Sequence, residues 1–213
     1  MAIKKGVLAG LLTALFAFEG AALAQDESPV KAGDWLVRTR GIIVSPDESS
    51  ELNIGGEARV DDAFTPELDF TYFWTDYFAT ELILATNRHT VGAFGTAVGD
   101  VPNATSVSLL PPTLLGQFHI PVNKTFKPYV GAGVNYTFFY NADGGDLPVD
   151  SFDDGFGFAL QAGVDVFITE NVLLNLDVKR LWLSTEASFA GGTVIADVDL
   201  DPWIFGAGIG FKF

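Results

Sequence analysis

Reading back from the last residue, every second side chain is apolar and mostly large: Phe213, Phe211, Ile209, Ala207, Phe205 and Trp203. The residues between them, Lys212, Gly210, Gly208, Gly206 and Ile204, are mostly small or charged. A period of two places one set on each face of a strand. The alternation recurs upstream. Phe156, Phe158, Leu160, Ala162, Val164 and Val166 interleave with Gly155, Gly157, Ala159, Gln161, Gly163 and Asp165. Segment 130–138 carries Gly131, Gly133, Asn135 and Thr137 on its polar side. Leu68, Phe70, Tyr72 and Trp74 alternate with Glu67, Asp69, Thr71 and Phe73. Val172, Leu174, Leu176 and Val178 alternate with Leu173, Asn175, Asp177 and Lys179. Three weaker segments complete the set. Segment 35–44 has Arg38 and Arg40 on one face, and 78–86 has Glu81 opposite Leu82 and Leu84. Segment 109–120 is apolar on both sides of Pro111 and Pro112, so its facing is left unassigned.

The first residues belong to no strand. Lys4 and Lys5 precede an apolar run over 6–18, and Ala22-Leu23-Ala24 supplies the small residues that signal peptidase requires. Residues 1–24 are therefore expected to be a cleaved signal peptide, with residues 25–213 as one domain. No cysteine follows the cleavage site, so lipid attachment there is excluded. An uncharged stretch after the leader, 106–123, contains three prolines, which a spanning helix tolerates poorly. A chain that crosses a bilayer without such helices must close its backbone hydrogen bonds in a barrel.

Connections alternate in length. Residues 75–77, 121–126 and 169–170 are short, whereas 46–65, 87–105, 141–153 and 184–197 are long, polar and rich in Gly and Asp. Short turns face the periplasm and long loops the outside. The expected fold is all-β: an eight-stranded antiparallel up-and-down transmembrane β-barrel in the outer membrane of a Gram-negative bacterium. A soluble sandwich or lipocalin-like barrel also alternates, but its outer face is charged, whereas here the less greasy face is full of glycine. Trp74, Tyr77, Trp182, Trp203, Phe211 and Phe213 stand near strand ends, as interfacial aromatics do. The terminal Phe213, preceded by Phe211 and Ile209, reads as a signal to the barrel-assembly machinery during biogenesis.

Charge and composition exclude several functions. A net charge of −15 argues against nucleic acid, which needs a basic face. The absence of cysteine removes disulfides and thiol chemistry. His89 and His119, the only histidines, lie on different segments, so no metal site and no cofactor are expected. His89 with Ser106 and Asp100 would be the material for an acyltransferase-like site, but such residues are common in outer loops, and no catalytic residues are assigned. Gly206-x-Gly208-x-Gly210 lies in a final strand with no helix after it, so it reads as packing space rather than a nucleotide loop. Asp143, Asp146, Asp150, Asp153 and Asp154, and Asp197, Asp199 and Asp201, read as solvated loop surface. The sharper reading is weak Ca²⁺ or Mg²⁺ bridging to lipopolysaccharide phosphates.

Five stretches resemble the OmpW family of outer-membrane proteins, related to the alkane-uptake protein AlkL. They are Lys31-Ala32-Gly33-Asp34-Trp35, Leu110-Pro111-Pro112-Thr113-Leu114-Leu115, Phe126 through Tyr136 (FKPYVGAGVNY), Leu200-Asp201-Pro202-Trp203-Ile204-Phe205 and Gly210-Phe211-Lys212-Phe213. They run in order over the whole chain after the leader. The resemblance implies a channel for passive uptake of small hydrophobic molecules, with release sideways into the bilayer. Partners would be outer-membrane lipids, lipopolysaccharide and small hydrophobic solutes. Lys179 departs from relatives that carry an aromatic there.

The alternation assigns Arg38, Arg40, Glu67, Asp69, Glu81, Asp165, Asp177 and Lys179 to the lumen. Opposite charges there are expected to pair across strands and to plug the lower barrel. Gly131, Gly133, Gly155 and Gly157 are expected on the same face, leaving open lumen for a solute. A structural or surface-interaction barrel with a closed lumen is the alternative. A continuous apolar cavity from the outer mouth favours uptake; a salt-bridged plug favours the alternative.

Overall fold

A computed structural model of the chain describes residues 28–47, 49–52, 55–97, 99–120, 122–146, 149–189 and 194–213. The expected leader, residues 1–24, lies outside the described residues. The strands, in chain order, are β1 (Trp35–Ser45), β2 (Ser49–Leu52), β3 (Glu57–Val60), β4 (Ala63–Phe73) and β5 (Phe78–Ala85). Next come β6 (Asn87–Thr96), β7 (Gly99–Leu110), β8 (Thr113–His119), β9 (Phe126–Gly144) and β10 (Val149–Phe152). The last are β11 (Gly155–Phe167), β12 (Val172–Phe189), β13 (Val194–Asp199) and β14 (Trp203–Lys212).

Eight strands close a ring of antiparallel pairs in the order β1, β4, β5, β8, β9, β11, β12, β14 and back to β1. Both ends of the ring meet at Trp35 and Phe213, which exchange backbone hydrogen bonds of 3.2 and 3.0 Å. Three turns share that end, and a side-chain oxygen caps each. Thr75 Oγ1 accepts from Phe78 N at 2.8 Å, Asn123 Oδ1 from Phe126 N at 2.7 Å, and Thr169 Oγ1 from Val172 N at 3.0 Å. This is the periplasmic end, since short turns lie there in bacterial barrels.

The faces are inverted relative to a soluble barrel. Leu176 is 58% exposed, and Leu114, Val134, Leu160 and Phe205 stand out beside it, whereas Arg38 is 0% exposed. Burying charge while exposing leucine lowers free energy only where the surroundings are hydrocarbon.

Two expectations need correction. The long polar connections are largely strand. β2, β3, β6, β10, β13 and much of β7 fall in them, and β9 and β12 run on into them. β9 has 19 residues, and roughly 10 tilted residues cross a bilayer, so its far half stands beyond the membrane. There it pairs with β7, while the far half of β12 pairs with β10 and β13. The hairpins hold because their inward residues, such as Val91, Val107, Leu183, Ala187 and Val198, form an apolar cluster beneath outward Asp and Glu. Context of this kind overrides the low strand preference of Gly and Asp.

Segment 109–120 is also two strands, not one. Pro111 and Pro112 offer no N–H to a ladder, and β7 stops before them while β8 starts after them. Their carbonyls are still used: Asn135 Nδ2 donates to Pro111 O at 3.2 Å and Tyr136 N to Pro112 O at 3.1 Å. Beyond the break Leu115, Gln117 and His119 point inward and Leu114 and Phe118 outward.

A cation on the outer face tests the membrane assignment. Leu176→Arg, at mid-strand, is expected to cost about 2–4 kcal/mol in folding into lipid vesicles, and Ile168→Arg, at a periplasmic turn, about 0–1 kcal/mol. Urea midpoints measure both, and equal costs would contradict the assignment.

Candidate functional site

The interior has three storeys. The floor is apolar: Val30, Leu36, Phe73, Ala79, Phe167 and Leu173 pack together at the periplasmic end. Lys127 crosses it, donating to Ser28 Oγ at 3.0 Å and to Asp76 O at 2.9 Å.

Above the floor lies a charged layer. Register does the first part of the work, because Arg38 stands opposite Asp69 and Arg40 opposite Glu67 across β1 and β4. Arg38 Nη1 lies 3.1 Å from Asp69 and 3.2 Å from Glu81, and its Nη2 lies 2.7 Å from Asp165. Arg40 Nη2 meets Asp69 at 2.7 Å and Glu81 at 3.1 Å, its Nε meets Glu67 at 2.9 Å and its Nη1 meets Asp177 at 3.3 Å. Lys179 Nζ joins Glu67 at 2.7 Å and Asp177 at 2.8 Å. The structure thus brings together all eight charged side chains read as inward, each of them buried.

These pairs hold three cations and five carboxylates. Neutral amides serve the surplus carboxylates: Gln117 Nε2 donates to Glu81 at 2.7 Å, Gln161 Nε2 to Asp177 at 2.7 Å and Asn175 Nδ2 to Asp165 at 2.8 Å. A buried charge left without such donors would cost several kcal/mol, on the order of the penalty for an unpaired ion. Gln117 and Tyr129 were not singled out in the sequence, though continuing the period of two back from Gly131 reaches Tyr129 and Lys127. Tyr129 accepts from Asn175 Nδ2 at 3.0 Å and lies under the Arg38 guanidinium.

The β14 glycines serve this layer. Gly206, Gly208 and Gly210 stand between β1 and β12, with Asp177 and Asn175 facing Gly206 and Gly208 and with Arg38 and Arg40 facing Gly210 and Gly208. A Cβ on Gly206 would come 3.3 Å from Asp177 Oδ1 and 3.4 Å from Arg40 Cδ, and on Gly210 3.0 Å from Arg38 Cγ. The bareness of Gly206 and Gly210 lets arginine reach across a whole strand, whereas at Gly208 the β1 backbone takes the room.

The other glycines do not leave open lumen, and that expectation is corrected. A Cβ on Gly131 would meet Gln161 Oε1 at 3.0 Å and Gln117 Cγ at 3.3 Å, inside the charged layer. On Gly155 it would meet Ser184 O at 2.8 Å, and on Gly133 and Gly157 it would overlap the carbonyls of Leu114 and Trp182. Neighbouring backbone takes the room that the missing side chains release. Filling Gly133 and Gly157 would therefore distort the wall rather than block a path.

The top storey is a cavity of about 80 Å³, several times what one water needs. Its wall is apolar, with Ala58, Val91, Val107, Leu183, Val198 and Leu200 among its lining, and its base reaches Pro111, Leu181 and Ile204. A recess of about 20 Å³ continues down to Glu67 and Lys179, the roof of the charged layer.

His89 lines the cavity and its Nδ1 lies 2.8 Å from the Asp61 carbonyl. Burial lowers its pKa, against the opposing pull of Asp61 and Asp62. The residues of a relay are not assembled around it. The Asp100 carboxylate accepts from Gly95 N at 2.7 Å, and across the β6–β7 pair Ser106 stands opposite Thr90. Among the described residues no cluster of three or more His, Asp or Glu suits a metal. Several loop aspartates serve hairpins instead: Asp143 pairs with Arg88 at 2.6 Å, Asp154 accepts from Phe139 N at 2.9 Å and Asp201 from Leu183 N at 3.0 Å.

The expected aromatics face outward at both ends. Trp74, Phe211 and Phe213 stand at the periplasmic end, where Tyr77 stacks near Phe118. Trp182 and Trp203 are exposed toward the other end, and the Arg180 guanidinium lies 5.2 Å from the Trp203 ring centre.

Comparison with known proteins follows this geometry. The model described as OmpW family matches residues 31–213. An uncharacterised outer-membrane protein of Sinorhizobium fredii, y4mB, is 40% identical over 96% of this chain and 95% of its own. Outer membrane protein W of Escherichia coli is 36% identical over 86% of this chain and 90% of its own. The crystal structure of OprG from Pseudomonas aeruginosa superposes with a TM-score of 0.81 at 33% identity, covering 88% of this chain and 99% of OprG.

Arg38→Met would leave Asp69, Glu81 and Asp165 short of their shared cation. The expected loss is about 3–5 kcal/mol of folding stability. The urea midpoint in lipid vesicles measures it, and an unchanged midpoint would contradict the role given to Arg38.

Proposed function

The chain belongs to the OmpW family of outer-membrane β-barrels, and we propose that it admits small hydrophobic molecules passively at its outer mouth and releases them sideways into the bilayer. The observation that carries this reading is an apolar cavity standing on a buried, ion-paired layer. An apolar solute gains roughly 25 cal/mol per Å² of surface on leaving water, so entry needs no energy source. The charged layer denies it the axis, since an apolar molecule there would have to separate buried ion pairs.

The wall supports a lateral exit at the level of the cavity base. The β5–β8 ladder ends at Ile83 and Thr113, and the β6–β7 ladder begins at Asn87 and Leu109. Between them lie Pro111 and Pro112, without N–H groups to bridge the step. Pro111 itself lines the cavity.

The charged layer is also the observation that favours a second reading, a structural or surface-interaction barrel with a closed interior. Solute flux separates the two. Ala187 is buried and lines the cavity, so Ala187→Phe adds a ring where the solute would sit. In liposomes carrying the protein, influx of an apolar probe is expected to fall at least about fivefold on that change. Val134→Leu, on the lipid face, should leave it as it was. If the folded Ala187→Phe barrel passes the probe at the parent rate, the cavity is not on the path.

A further inference from the structure

The outer cavity is apolar but not indifferent to polarity, and two of its few polar residues carry acceptors that matter. Thr96, Thr137 and Thr185 line it, yet each hydroxyl already donates elsewhere: to Gly99 O at 2.5 Å, to Asn135 Oδ1 at 2.8 Å and to Asp153 O at 2.8 Å. Asn87 and His89 line it too, two residues apart on β6 and so on one face of that strand. Asn87 Oδ1 is buried with no hydrogen-bond partner among the described residues. Asn87 also lines the recess below, so it stands where cavity and recess meet.

His89 adds a second acceptor. A backbone carbonyl only accepts, so the 2.8 Å contact with Asp61 O requires a proton on Nδ1. In the neutral ring Nε2 then carries the lone pair. Burial, which disfavours the imidazolium, keeps the ring in that form.

From this we infer that the cavity selects, among small apolar solutes, those carrying one hydrogen-bond donor: alcohols, phenols and heteroaromatic N–H compounds. The inference rests on the uptake reading above and names its substrate class. A hydrocarbon or ether that fills the cavity offers no proton to His89 Nε2 and leaves Asn87 Oδ1 unpartnered. A hydroxyl donates to one of these acceptors while the rest of the molecule keeps its apolar contacts. Sites with a buried polar group discriminate strongly on this ground, whereas an apolar wall distinguishes shapes only weakly.

Three probes of one ring size test it: p-cresol, which donates, 4-methylanisole, which only accepts, and p-xylene, which does neither. Binding to the refolded full-length mature barrel in detergent is followed by NMR titration, with partition into empty micelles subtracted. The parent is expected to bind p-cresol about tenfold more tightly than 4-methylanisole. In Asn87→Leu, and separately in His89→Phe, the p-cresol affinity should fall toward that of the ether. Val134→Leu on the lipid face should keep the preference. Equal affinity of the parent for p-cresol and 4-methylanisole overturns the inference without need of any variant. So does a preference that survives both substitutions, or a parent that binds no p-cresol. Influx into proteoliposomes is measured separately. If no probe enters faster than into protein-free liposomes while the binding preference holds, the uptake reading fails and the donor site stands. If all three enter faster with no binding preference, uptake stands and the donor site falls.

Discussion

Everything inside this barrel is arranged around two arginines on one strand. Arg38 and Arg40 are both buried, and between them they reach carboxylates on β4, β5, β11 and β12. Few side chains other than arginine could do this, since the guanidinium offers five donors in a planar fork and stays charged. The reach depends on bare neighbours, because Gly206 and Gly210 on the intervening strand leave the arginine stems room. The network therefore ties strands that are not hydrogen-bonded to one another, and it does so across the barrel rather than along its wall. A membrane barrel gains little from an apolar interior, because its outer face already sits in hydrocarbon. Its interior can be polar provided each charge is answered. Here the surplus of carboxylates is answered by Gln117, Gln161 and Asn175.

That layer decides what the remaining interior can do. Below it an apolar floor, entered by Val30 and crossed by Lys127, finishes the periplasmic end. Above it the strands run on past the membrane, and their inward residues turn apolar. The cavity exists because β9 and β12 are nearly twice as long as the bilayer requires and carry β7, β10 and β13 along them. From the outer mouth inward lie grease, then a roof of ion pairs, and beside that roof a step in the backbone ladder at Pro111 and Pro112. The order of these layers turns a closed barrel into a candidate side-door.

The eight membrane strands and the inward charges were legible because one physical rule wrote them. Hydrocarbon outside forces a period of two, and Arg38, Glu67, Asp69 and Asp177 fall on the inward beat. The outer hairpins were not legible, since beyond the membrane the outward face is wet. Glu186, Asp197 and Asp199 then alternate with Ala187 and Val198 in a pattern that composition alone reads as loop. The glycines misled for a different reason. A missing side chain announces room, but only coordinates say whether a solute, an arginine stem or a neighbouring carbonyl occupies it. At Gly206 it is arginine and aspartate; at Gly133 and Gly157 it is backbone. Asn87 gave no signal, because a lone asparagine beside polar residues is ordinary until its oxygen proves buried. The prolines at 111 and 112 hid the facing of β8, which returns to strict alternation once the break is placed between them and Thr113.

The central claim is that the axis is sealed to ions by the charged layer while the outer cavity remains open to apolar solutes. One preparation of proteoliposomes tests both halves at once. Vesicles loaded with potassium and carrying the barrel are mixed with an apolar fluorescent probe, and potassium efflux and probe influx are followed together. The account predicts probe influx above that of protein-free vesicles, with potassium efflux no faster than theirs. Potassium efflux that rises in step with the barrel content would contradict it, because ions would then be crossing where Arg38 and Arg40 are held to close the way.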